Sequence, residues 1–478
     1  MRRFLHGFLS WMVLSIGLLT RSAPAFGAAD FCQVEARRKP GDPWKTYPTR
    51  TLENLPGFSL DKTDPELTQF GGLREGKAEA TGFFRTQKIG GRWWLIDPEG
   101  GRFINVGVAG VRPGRTGISK AALADRFGSE DEWATACIGL LRTNGFNGTG
   151  GWSEAKSLSR ASSKIVYALN LSFMATFASR KGRTHPEPGH TGYADGCILV
   201  FDPDFETFSC EYARRLNATK DDPWLLGYFS DNEMPLDDGV LARFLQLPPE
   251  SPGCIAATEW LKGQRKGSSL ELAATPLTAG EREAFLQLVV ARYFRIVSAA
   301  IRKHDPNHLY LGARLNGPAI RLPAVFRGAG PFVDVHSINY YNTWTPRSDR
   351  LALWVNESGK PCLVSEFYVK GLDSGLGNQS GAGWEVKTQA DRGRFYQNYV
   401  LGLLESQTCV GWHWFRYMDN DPTEKSRDAS NEDSNKGIVT IRYEPHRDLL
   451  SGMRRLNTRV YDLVEYFDMH MTEKENGD

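Results

Sequence analysis

Residues 225–238 read LLGYFSDNEMPLDD, an apolar run that ends in a cluster of acids. The first five residues are apolar or aromatic apart from one glycine, which is typical of a strand buried on both faces. Acidic side chains follow at Asp231, Glu233, Asp237 and Asp238. An acidic turn by itself is an ordinary solvated loop, so the rest of the chain decides what this stretch means.

Apolar runs of the same kind recur along most of the chain. They cover residues 103–110, 145–152, 165–173, 225–233, 309–317, 333–342, 361–369 and 409–419. Stretches with helical periodicity separate them, such as EREAFLQLVVARYFRIVSAAIRKHDP at 281–306. Strands that alternate with helices indicate a parallel sheet, and eight of them are the number that closes a barrel. The sequence therefore predicts an α/β fold, a (β/α)8 TIM barrel.

The predicted strands end in polar and aromatic residues. In a barrel of this type the carboxyl ends of the strands meet at one mouth, where active sites lie. Arg314 and Asn316 end the fifth run. The other ends supply our candidate substrate-binding residues, which are Asn147, Trp152, Asn170, Asn232, Tyr340, Tyr341, His413, Trp414 and Asp419. We expect these side chains to form one polar pocket with aromatic walls.

Glu233 and Glu366 end the fourth and seventh runs and are the candidate catalytic residues. Two carboxylates opposed across a barrel mouth suit glycoside hydrolysis, in which a separation of about 5–5.5 Å gives retention and about 6.5–9.5 Å gives inversion. We predict the short separation. Glu366 would be the nucleophile, held ionised by Tyr340 or Tyr341, and Glu233 the acid/base, with its pKa raised by the opposing charge.

Two neighbouring side chains receive more specific roles. Asn232 precedes the predicted acid and can hydrogen-bond the sugar 2-hydroxyl, a contact that strengthens in the transition state. Trp414 can form the floor on which a sugar ring stacks. Asp231 is interpreted as a structural ligand of backbone or arginine groups, and residues 237–238 as a solvated turn or a helix start.

The sequence predicts neither a metal site nor a cofactor. The acids at 231–238 lack the regular alternation of a calcium-binding loop, and His413 has no partner histidine at ligand spacing. The seven cysteines match no zinc pattern. An exported chain can form disulfides, with Cys197 and Cys210 as one candidate pair, but the sequence fixes no pairing, and an odd number leaves one thiol unpaired within the chain.

Composition excludes several partner classes. Lys and Arg number 58 against 56 Asp and Glu, and the positive charges are scattered, so no nucleic-acid footprint is present. Aromatic residues make up 12% of the 478, with 13 Trp, which suits a saccharide with flat apolar faces. The expected partner is a polysaccharide or oligosaccharide substrate. The sequence leaves the oligomeric state open.

The chain begins with features of an export signal. Residues 1–27 contain MRR, the apolar run FLSWMVLSIGLL and the small residues APAFGAA, in the order of a cleaved signal peptide. The apolar run is too short for stable membrane insertion. We therefore expect an exported protein, periplasmic or extracellular.

The remaining chain divides into three predicted parts. Residues 28–78, rich in Pro, Gly and charge, are expected to form a short irregular N-terminal extension. Residues 79–470 form the catalytic barrel, and 471–478 a C-terminal tail. At the start of the barrel, residues 82–110 contain strand-like runs separated by Gly-Gly and Pro-Glu-Gly-Gly turns, which predict β-hairpins that cap the barrel bottom.

Several segments together resemble the β-agarases of glycoside hydrolase family 50. They are GFFRTQKIGGRWWLIDPEGGRFINVGV, GFNGTGGWS, FDPDF, DDPWLLGYFSDNEMP, LVSEFYVKGLDSGL and VGWHWFRYMDNDP, which occur in order between about residues 80 and 465. The resemblance implies a retaining hydrolase of β-linked galactose units, classically agarose, with Glu233 as acid/base and Glu366 as nucleophile.

The chain departs from the family pattern at several positions. Ser365 replaces the glycine that usually precedes the nucleophile, Met234 and Pro235 follow the acid, and DNDPTEKSRDASNEDSNKG replaces the usual stretch after the eighth strand. The large N-terminal domain of many relatives is absent. These departures leave the substrate open. The alternatives are a hydrolase of another β-glycan and a catalytically silent carbohydrate-binding barrel. A metal-dependent hydrolase is a third alternative, but the sequence lacks the clusters of metal ligands that it would need.

Three loops are expected to decide the substrate. Residues 178–196 follow the third strand and carry Arg180, Lys181, Arg183, His185 and His190, which can meet sulfate or carboxylate groups or form a solvated loop. Residues 235–280 and 418–437 follow the fourth and eighth strands. Long loops at the mouth favour a pocket or tunnel and hence attack at chain ends.

Overall fold

The computed structural model describes residues 31–61, 63–265, 275–423, 425 and 428–475. The predicted signal peptide, residues 1–27, lies outside the described residues. The strands are β1 Cys32–Arg37, β2 Lys45–Thr49, β3 Arg85–Ile89, β4 Arg92–Ile96, β5 Arg102–Phe103, β6 Asn105–Ala109, β7 Gly148–Thr149, β8 Val166–Asn170, β9 Thr184–Glu187, β10 His190–Tyr193, β11 Leu225–Phe229, β12 Leu309–Tyr310, β13 Arg314–Leu315, β14 His336–Asn339, β15 Cys362–Phe367, β16 Val369–Gly371, β17 Trp384–Val386 and β18 Cys409–Phe415.

Helices lie between the strands throughout the described chain. They are α1 Gly117–Phe127, α2 Glu130–Thr143, α3 Ala155–Arg160, α4 Phe173–Arg180, α5 Asp204–Ala213, α6 Val240–Leu245, α7 Pro252–Gln264, α8 Ala279–His304, α9 Pro323–Ala329, α10 Ser348–Ser358, α11 Gln389–Glu405, α12 Arg447–Asn457 and α13 Val460–Glu475. The last helix continues into the predicted tail, 471–478.

The central sheet is a closed parallel barrel. Its strand order is β12-β11-β8-β7-β6-β18-β15-β14-β13. Because β12 and β13 both belong to the fifth apolar run, the two ends of this order are the same segment, and the backbone N–H of Arg314 reaches the carbonyl of Asp231 at 2.9 Å to close the ring. Each predicted run supplies one position in the barrel, and the fifth does so with two short strands. The structure thus confirms the (β/α)8 barrel.

The bottom of the barrel is covered by a three-stranded antiparallel sheet, β3-β4-β5. Gly90 and Gly91 connect β3 and β4 with φ values of +58° and +85°, a turn conformation that glycine adopts without steric cost. Apolar side chains of this sheet, such as Phe103, pack against the interior of the barrel. The predicted hairpins are therefore present.

Part of the N-terminal extension, which we expected to be irregular, forms a hairpin. Strands β1 and β2 pair antiparallel, and β1 also pairs with β17, in a sheet of order β16-β17-β1-β2. Val34 and Ala36 alternate inward and are fully buried, a pattern that the surrounding Pro and charged residues obscured. This sheet braces the segment that follows β15, the strand of Glu366.

Helix α8 is long and apolar enough to cross a membrane by length and composition, but most of its apolar window is buried within the protein. We assign it as a core helix. All seven cysteines are free thiols. The candidate pair is not a disulfide in the structure, since Cys197 is buried and the sulfur of Cys210 instead contacts the Lys303 ammonium at 3.3 Å.

Candidate active site

Glu366 lies near the end of β15 and is held by three hydrogen-bond donors. The Tyr341 hydroxyl donates to Oε2 at 2.7 Å, the Arg314 guanidinium donates to Oε1 at 2.5 Å, and the Trp152 indole donates to Oε1 at 3.3 Å. The side chain is 8% exposed. Donors therefore reach both carboxyl oxygens and hold the side chain in one position.

Arg314 connects the two predicted catalytic segments. Its side chain is fully buried, and its Nη1 donates to Asn232 Oδ1 at 3.2 Å while Nη2 reaches Glu366. The guanidinium also lies 5.3 Å from the ring centroid of Trp152. A rigid, permanently charged fork of this kind fixes the positions of all three partners.

Glu233 follows β11 in a left-handed backbone conformation, with φ of +50°. Its Oε1 accepts a 2.7 Å hydrogen bond from Asn339 Nδ2, and its Oε2 lies 3.7 Å from His190 Nδ1. The preceding Asp231 is fully buried and accepts hydrogen bonds from the backbone N–H groups of Met174 and Ala175. Asp231 is thus a structural ligand of the α4 N-terminus, as predicted, and it anchors the turn that presents Glu233.

The environment of Glu233 favours its protonated form. Burial raises the pKa of Glu233 first and the negative charge of Glu366 raises it further, to about 7 from an ordinary 4.5. Hydrogen bonds from Asn339 and Asn316 and the charge of Arg314 oppose this rise. Burial and an opposing charge thus favour a protonated Glu233 beside a Glu366 that three donors hold in place, the arrangement expected of an acid next to a nucleophile.

Both glutamates line one cleft of about 1400 Å³ at the carboxyl ends of the barrel strands. Asn232, Trp152, Tyr341 and Asp419, predicted from the sequence, also line it. The β9-β10 hairpin contributes residues 184–191 to the lining of the cleft. A cleft of this size accommodates several sugar units, since sites for drug-sized ligands measure about 300–1,000 Å³.

Asn232 and Asp419 differ in how free they are to meet a ligand. The Asn232 amide oxygen accepts from Arg314 and from Asn339 at 3.1 Å, whereas its nitrogen makes only a 3.4 Å contact to the carbonyl of Gly189. Asp419 Oδ2 contacts His446 at 2.8 Å, and its other oxygen accepts from Asn435. Both oxygens of Asp419 are therefore occupied by protein partners, and the carboxylate holds the segment after β18 in place.

Several predicted substrate-binding residues lie elsewhere. Tyr340 and Trp414 point outward into the helix layer, where Tyr340 packs on Trp354 and the Trp414 indole donates to the carbonyl of Lys436. Their chain neighbours Tyr341 and Phe415 line the cleft instead. Consecutive residues of a strand face opposite sides, so the prediction was one residue out of phase for both.

His413 and Asn147 lie in the barrel below the cleft. His413 is fully buried and its Nε2 contacts Asn105 Oδ1 at 2.6 Å, with its pKa lowered to about 3 by burial and then by the charge of Arg314. Asn147 precedes β7, at the amino end of the strand, and its amide nitrogen donates to the carbonyl of Ile104. Both are structural residues and not substrate ligands.

Asn170 ends β8 but does not line the cleft. Its amide oxygen and nitrogen are buried and have no hydrogen-bond partner among the described residues. Gly151 lies directly against it, since a Cβ at this glycine would meet Asn170 Oδ1 at 2.9 Å. The substrate contact of Asn170 therefore stays a prediction.

The sequence did not single out Asn339 or His190 as neighbours of Glu233. Asn339 occurs near the end of the sixth run, and His190 lies in a loop whose path the sequence does not specify. Ser365, a departure from the family pattern, is explained by the same contact set. Its hydroxyl donates to Asn339 Oδ1 at 2.8 Å and so orients the amide that contacts Glu233.

Within the described ranges, no three His, Cys, Asp or Glu side chains come together in a group that could hold a metal ion. Asp237, in the segment predicted as a solvated turn or a helix start, lies just before α6 and accepts hydrogen bonds from the backbone N–H of Gly239 at 2.7 Å and from the side chain of Arg243 in α6. It therefore serves the start of that helix.

The fold and the site define a class, the (β/α)8 barrels with a glutamate at the ends of the fourth and seventh strands. Among solved structures, the chain is similar to the crystal structure of BpGH50, at 31% sequence identity and a TM-score of 0.80, covering 92% of this chain and 96% of that one. The chain belongs to glycoside hydrolase family 50.

Curated relatives agree with this assignment. The chain is 26% identical to β-agarase B of Vibrio sp. (strain JT0107) over 86% of this chain and 52% of that protein, and 23% identical to β-agarase A of the same organism over 78% and 45%. The chain thus spans about half the length of these relatives. The chain also shares its fold with a solved structure of an exo-β-agarase, at 23% identity and a TM-score of 0.72. The match covers 85% of this chain and 69% of the exo-β-agarase chain. No protein-family model matches the chain.

Proposed function

We propose that the chain is a retaining glycoside hydrolase that cleaves β-linked galactose-containing polysaccharide or oligosaccharide, in the manner of an agarase. The observation that carries this proposal is the pair of unlike glutamates in one cleft. Three donors surround Glu366, whereas burial and an opposing charge raise the pKa of Glu233 to about 7. The names of the relatives, β-agarases, support the galactan substrate.

In the first step, a carboxylate oxygen of Glu366 attacks the anomeric carbon while the bond to the leaving oxygen breaks. Glu233 gives its proton to that oxygen. The product is a galactosyl ester of Glu366 and a shortened saccharide. This chemistry requires a separation of about 5–5.5 Å between the two carboxyl groups, which is our prediction for the pair.

In the second step, Glu233 is ionised and takes a proton from a water molecule. The water oxygen attacks the anomeric carbon, the ester bond breaks, and Glu366 is released as a carboxylate. The pKa of Glu233 falls during the first step and rises again in the second, because the charge on Glu366 is absent while the ester exists. The two displacements together retain the β configuration.

Two side chains are suited to hold the sugar at this position. The Asn232 oxygen is occupied by Arg314 and Asn339, so its nitrogen is oriented to donate to the 2-hydroxyl. Trp152, 37% exposed at the cleft, presents a flat apolar face fixed by Arg314. We assign to Trp152 the stacking role that the sequence suggested for Trp414.

The test is a panel of agarose, porphyran, carrageenan and synthetic β-galactosides, read by product size and by proton NMR of the first-formed anomer. Retained β product from a galactan is expected. Inverted product would refute the double displacement, and turnover confined to another β-glycan would refute the galactan assignment. Binding without turnover on any substrate would favour a catalytically silent barrel.

Export to the periplasm or the extracellular space is part of the proposal and rests on the sequence of residues 1–27. Expression of the full chain with its own N-terminus, followed by N-terminal sequencing of protein outside the cytoplasm, tests it. A mature protein that begins between residues 26 and 28 is expected. Full-length protein that stays in the cytoplasm would refute export.

A further inference from the structure

One wall of the cleft carries four positive side chains, Arg112, Arg115, Arg416 and Lys436. Arg112 and Arg115 follow β6, Arg416 follows β18, and Lys436 lies in the loop after it. Lys425 also lines the cleft, as do six acidic side chains, so the contacts of each cation decide which of them remain available to a ligand.

Carboxylates of the described chain do not neutralise these cations by contact. None of the four cations has an ion-pair partner within 4.0 Å among the described residues. The side chain of Arg112 makes no hydrogen bond to any described residue. Arg416 Nη1 donates to Asn431 Oδ1 at 3.3 Å, and its Nε is buried with no partner in the same set. Lys436 donates to the carbonyl of Ser430 and to Asn431 Oδ1 at 3.1 Å, both neutral groups.

The four charges repel one another along the wall. Burial and then the charge of Arg115 lower the pKa of Arg112. Burial and then the charge of Arg112 lower the pKa of Arg416 to about 10. Burial and then Arg416 lower the pKa of Lys436 to about 7. An anion placed beside these groups would relieve the repulsion.

The nearest carboxylates are committed to other partners. Glu366, Asp419 and Asp428 are within electrostatic range of Arg416, and Asp428 also acts on Lys436. Glu366 is held by Arg314 and Tyr341, Asp419 by His446 and Asn435, and Asp428 by Ser430, Asn431 and the backbone N–H of Gly189. Glu154 raises the pKa of Arg112 only as the last and smallest cause. Arg112 and Arg416 therefore keep guanidinium donors that no described carboxylate contacts.

The basic loop 178–196 does not supply a second such surface. Lys181 pairs with Asp204 at 2.7 Å, Arg183 pairs with Asp195 at 2.5 Å, and Arg180 lies over the ring of Phe208. Their charges are used within the protein. The sulfate or carboxylate contact that the sequence suggested for this loop is better served by the guanidinium groups of Arg112 and Arg416, which have no ion-pair partner within 4.0 Å among the described residues.

We propose that Arg112 and Arg416 form an anion subsite that binds a sulfate ester or a carboxylate on a galactan sugar close to the cleavage point. The inference rests on the proposed function. Guanidinium groups match the oxygens of such substituents with paired hydrogen bonds, and both arginines line the cleft that contains Glu366.

The experiment compares kcat/KM for three agar-type oligosaccharides of equal length, one with a sulfate ester, one with a carboxylate substituent and one neutral. The full chain should prefer an anionic substrate by at least about tenfold, since a charged hydrogen bond contributes far more than a neutral one. The sulfate and carboxylate arms identify which anion is the natural one. The preference should fall at about 1 M salt, where the screening length is about 3 Å.

Variants show whether the wall is responsible. R112Q should lower the anionic-to-neutral ratio of kcat/KM by about tenfold or more, and R112K should lower it less, because the charge remains. R214Q is the matched control, since Arg214 is exposed in the turn after α5, on the opposite side of the barrel. Its ratio should equal that of the unaltered chain. Circular dichroism and the midpoint of thermal unfolding verify that each variant is folded.

Equal turnover of the anionic and neutral oligosaccharides by the unaltered chain would overturn the anion subsite while leaving the hydrolase proposal intact. An unchanged ratio in R112Q would also overturn it. If no galactan is turned over, the hydrolase proposal fails, and calorimetric titration with the sulfated oligosaccharide decides the subsite separately. Binding that R112Q abolishes supports it, and absence of binding to the unaltered chain refutes it.

Discussion

Replacement of Glu366 by Gln should lower the pKa of Glu233. The change removes one negative charge and keeps the shape of the side chain. It also leaves the positive charge of Arg314 without its carboxylate partner, which acts in the same direction. At the separation of about 5.5 Å that we predict, two unit charges in an effective dielectric of about 20 interact by about 3 kcal/mol, equivalent to about two pKa units.

Burial is the largest cause of the raised value and remains in the variant. We therefore expect the pKa of Glu233 to fall from about 7 by about one to two units, without passing below the ordinary 4.5. Titration of the side-chain carboxyl by carbon-13 NMR, with labelled glutamate, measures it directly. E233Q identifies the resonance.

E211Q is the matched control, because Glu211 is exposed on α5, away from the cleft. It should leave the pKa of Glu233 unchanged. An unchanged pKa in E366Q would show that the two carboxyl groups do not interact, and the reasoning about unlike roles would fail.

Three further predictions concern the same groups. E233Q should slow substrates with poor leaving groups by at least about 100-fold and those with good leaving groups much less, because only the former need the proton; equal losses in steady-state rates would contradict the acid role. The hydrogen bond from Asn339 lowers the pKa of Glu233, so N339A should move the alkaline fall of kcat/KM to higher pH. S365A, which removes the contact that orients Asn339, should cause a smaller shift in the same direction. A shift to lower pH would contradict the assignment of Glu233 as the acid. Burial raises the pKa of Asp231 from 3.8 to about 7, so the folded state binds this proton more tightly than the unfolded state. This tighter binding contributes to the free energy of unfolding at low pH. The contribution is lost by up to about 1.4 kcal/mol per pH unit as the pH rises from about 4 to 7. Urea titrations at several pH values should find a smaller slope in D231N than in the unaltered chain.

The strands of the barrel could be predicted because they are buried on both faces. Runs such as CLVSEF in β15 are apolar without alternation, and their count and spacing with helices specify the barrel. The two glutamates were predictable for the same reason, since each interrupts an apolar run near its carboxyl end.

The direction of side chains beyond each strand end was not predictable in the same way. A run that is buried on both faces carries no alternation, so the sequence did not distinguish Tyr340 from Tyr341 or Trp414 from Phe415. Asn147 was placed at the wrong end because β7 has only two residues, Gly148 and Thr149.

Contacts made by loops also required the structure. His190 reaches Glu233 from a hairpin between the third and fourth barrel strands, and Arg112 and Arg416 share a wall although 304 residues separate them. Such proximity depends on loop paths that no local pattern specifies.

In the proposed mechanism, Glu366 forms the bond to the sugar while Glu233 transfers the proton. The most direct measurement is mass spectrometry of peptides after incubation with an activated 2-deoxy-2-fluoro-β-galactoside, which slows release of the covalent intermediate. We expect one added fluorinated galactosyl group on the peptide that contains Glu366. A label on Glu233, or turnover with inversion and no label, would contradict it.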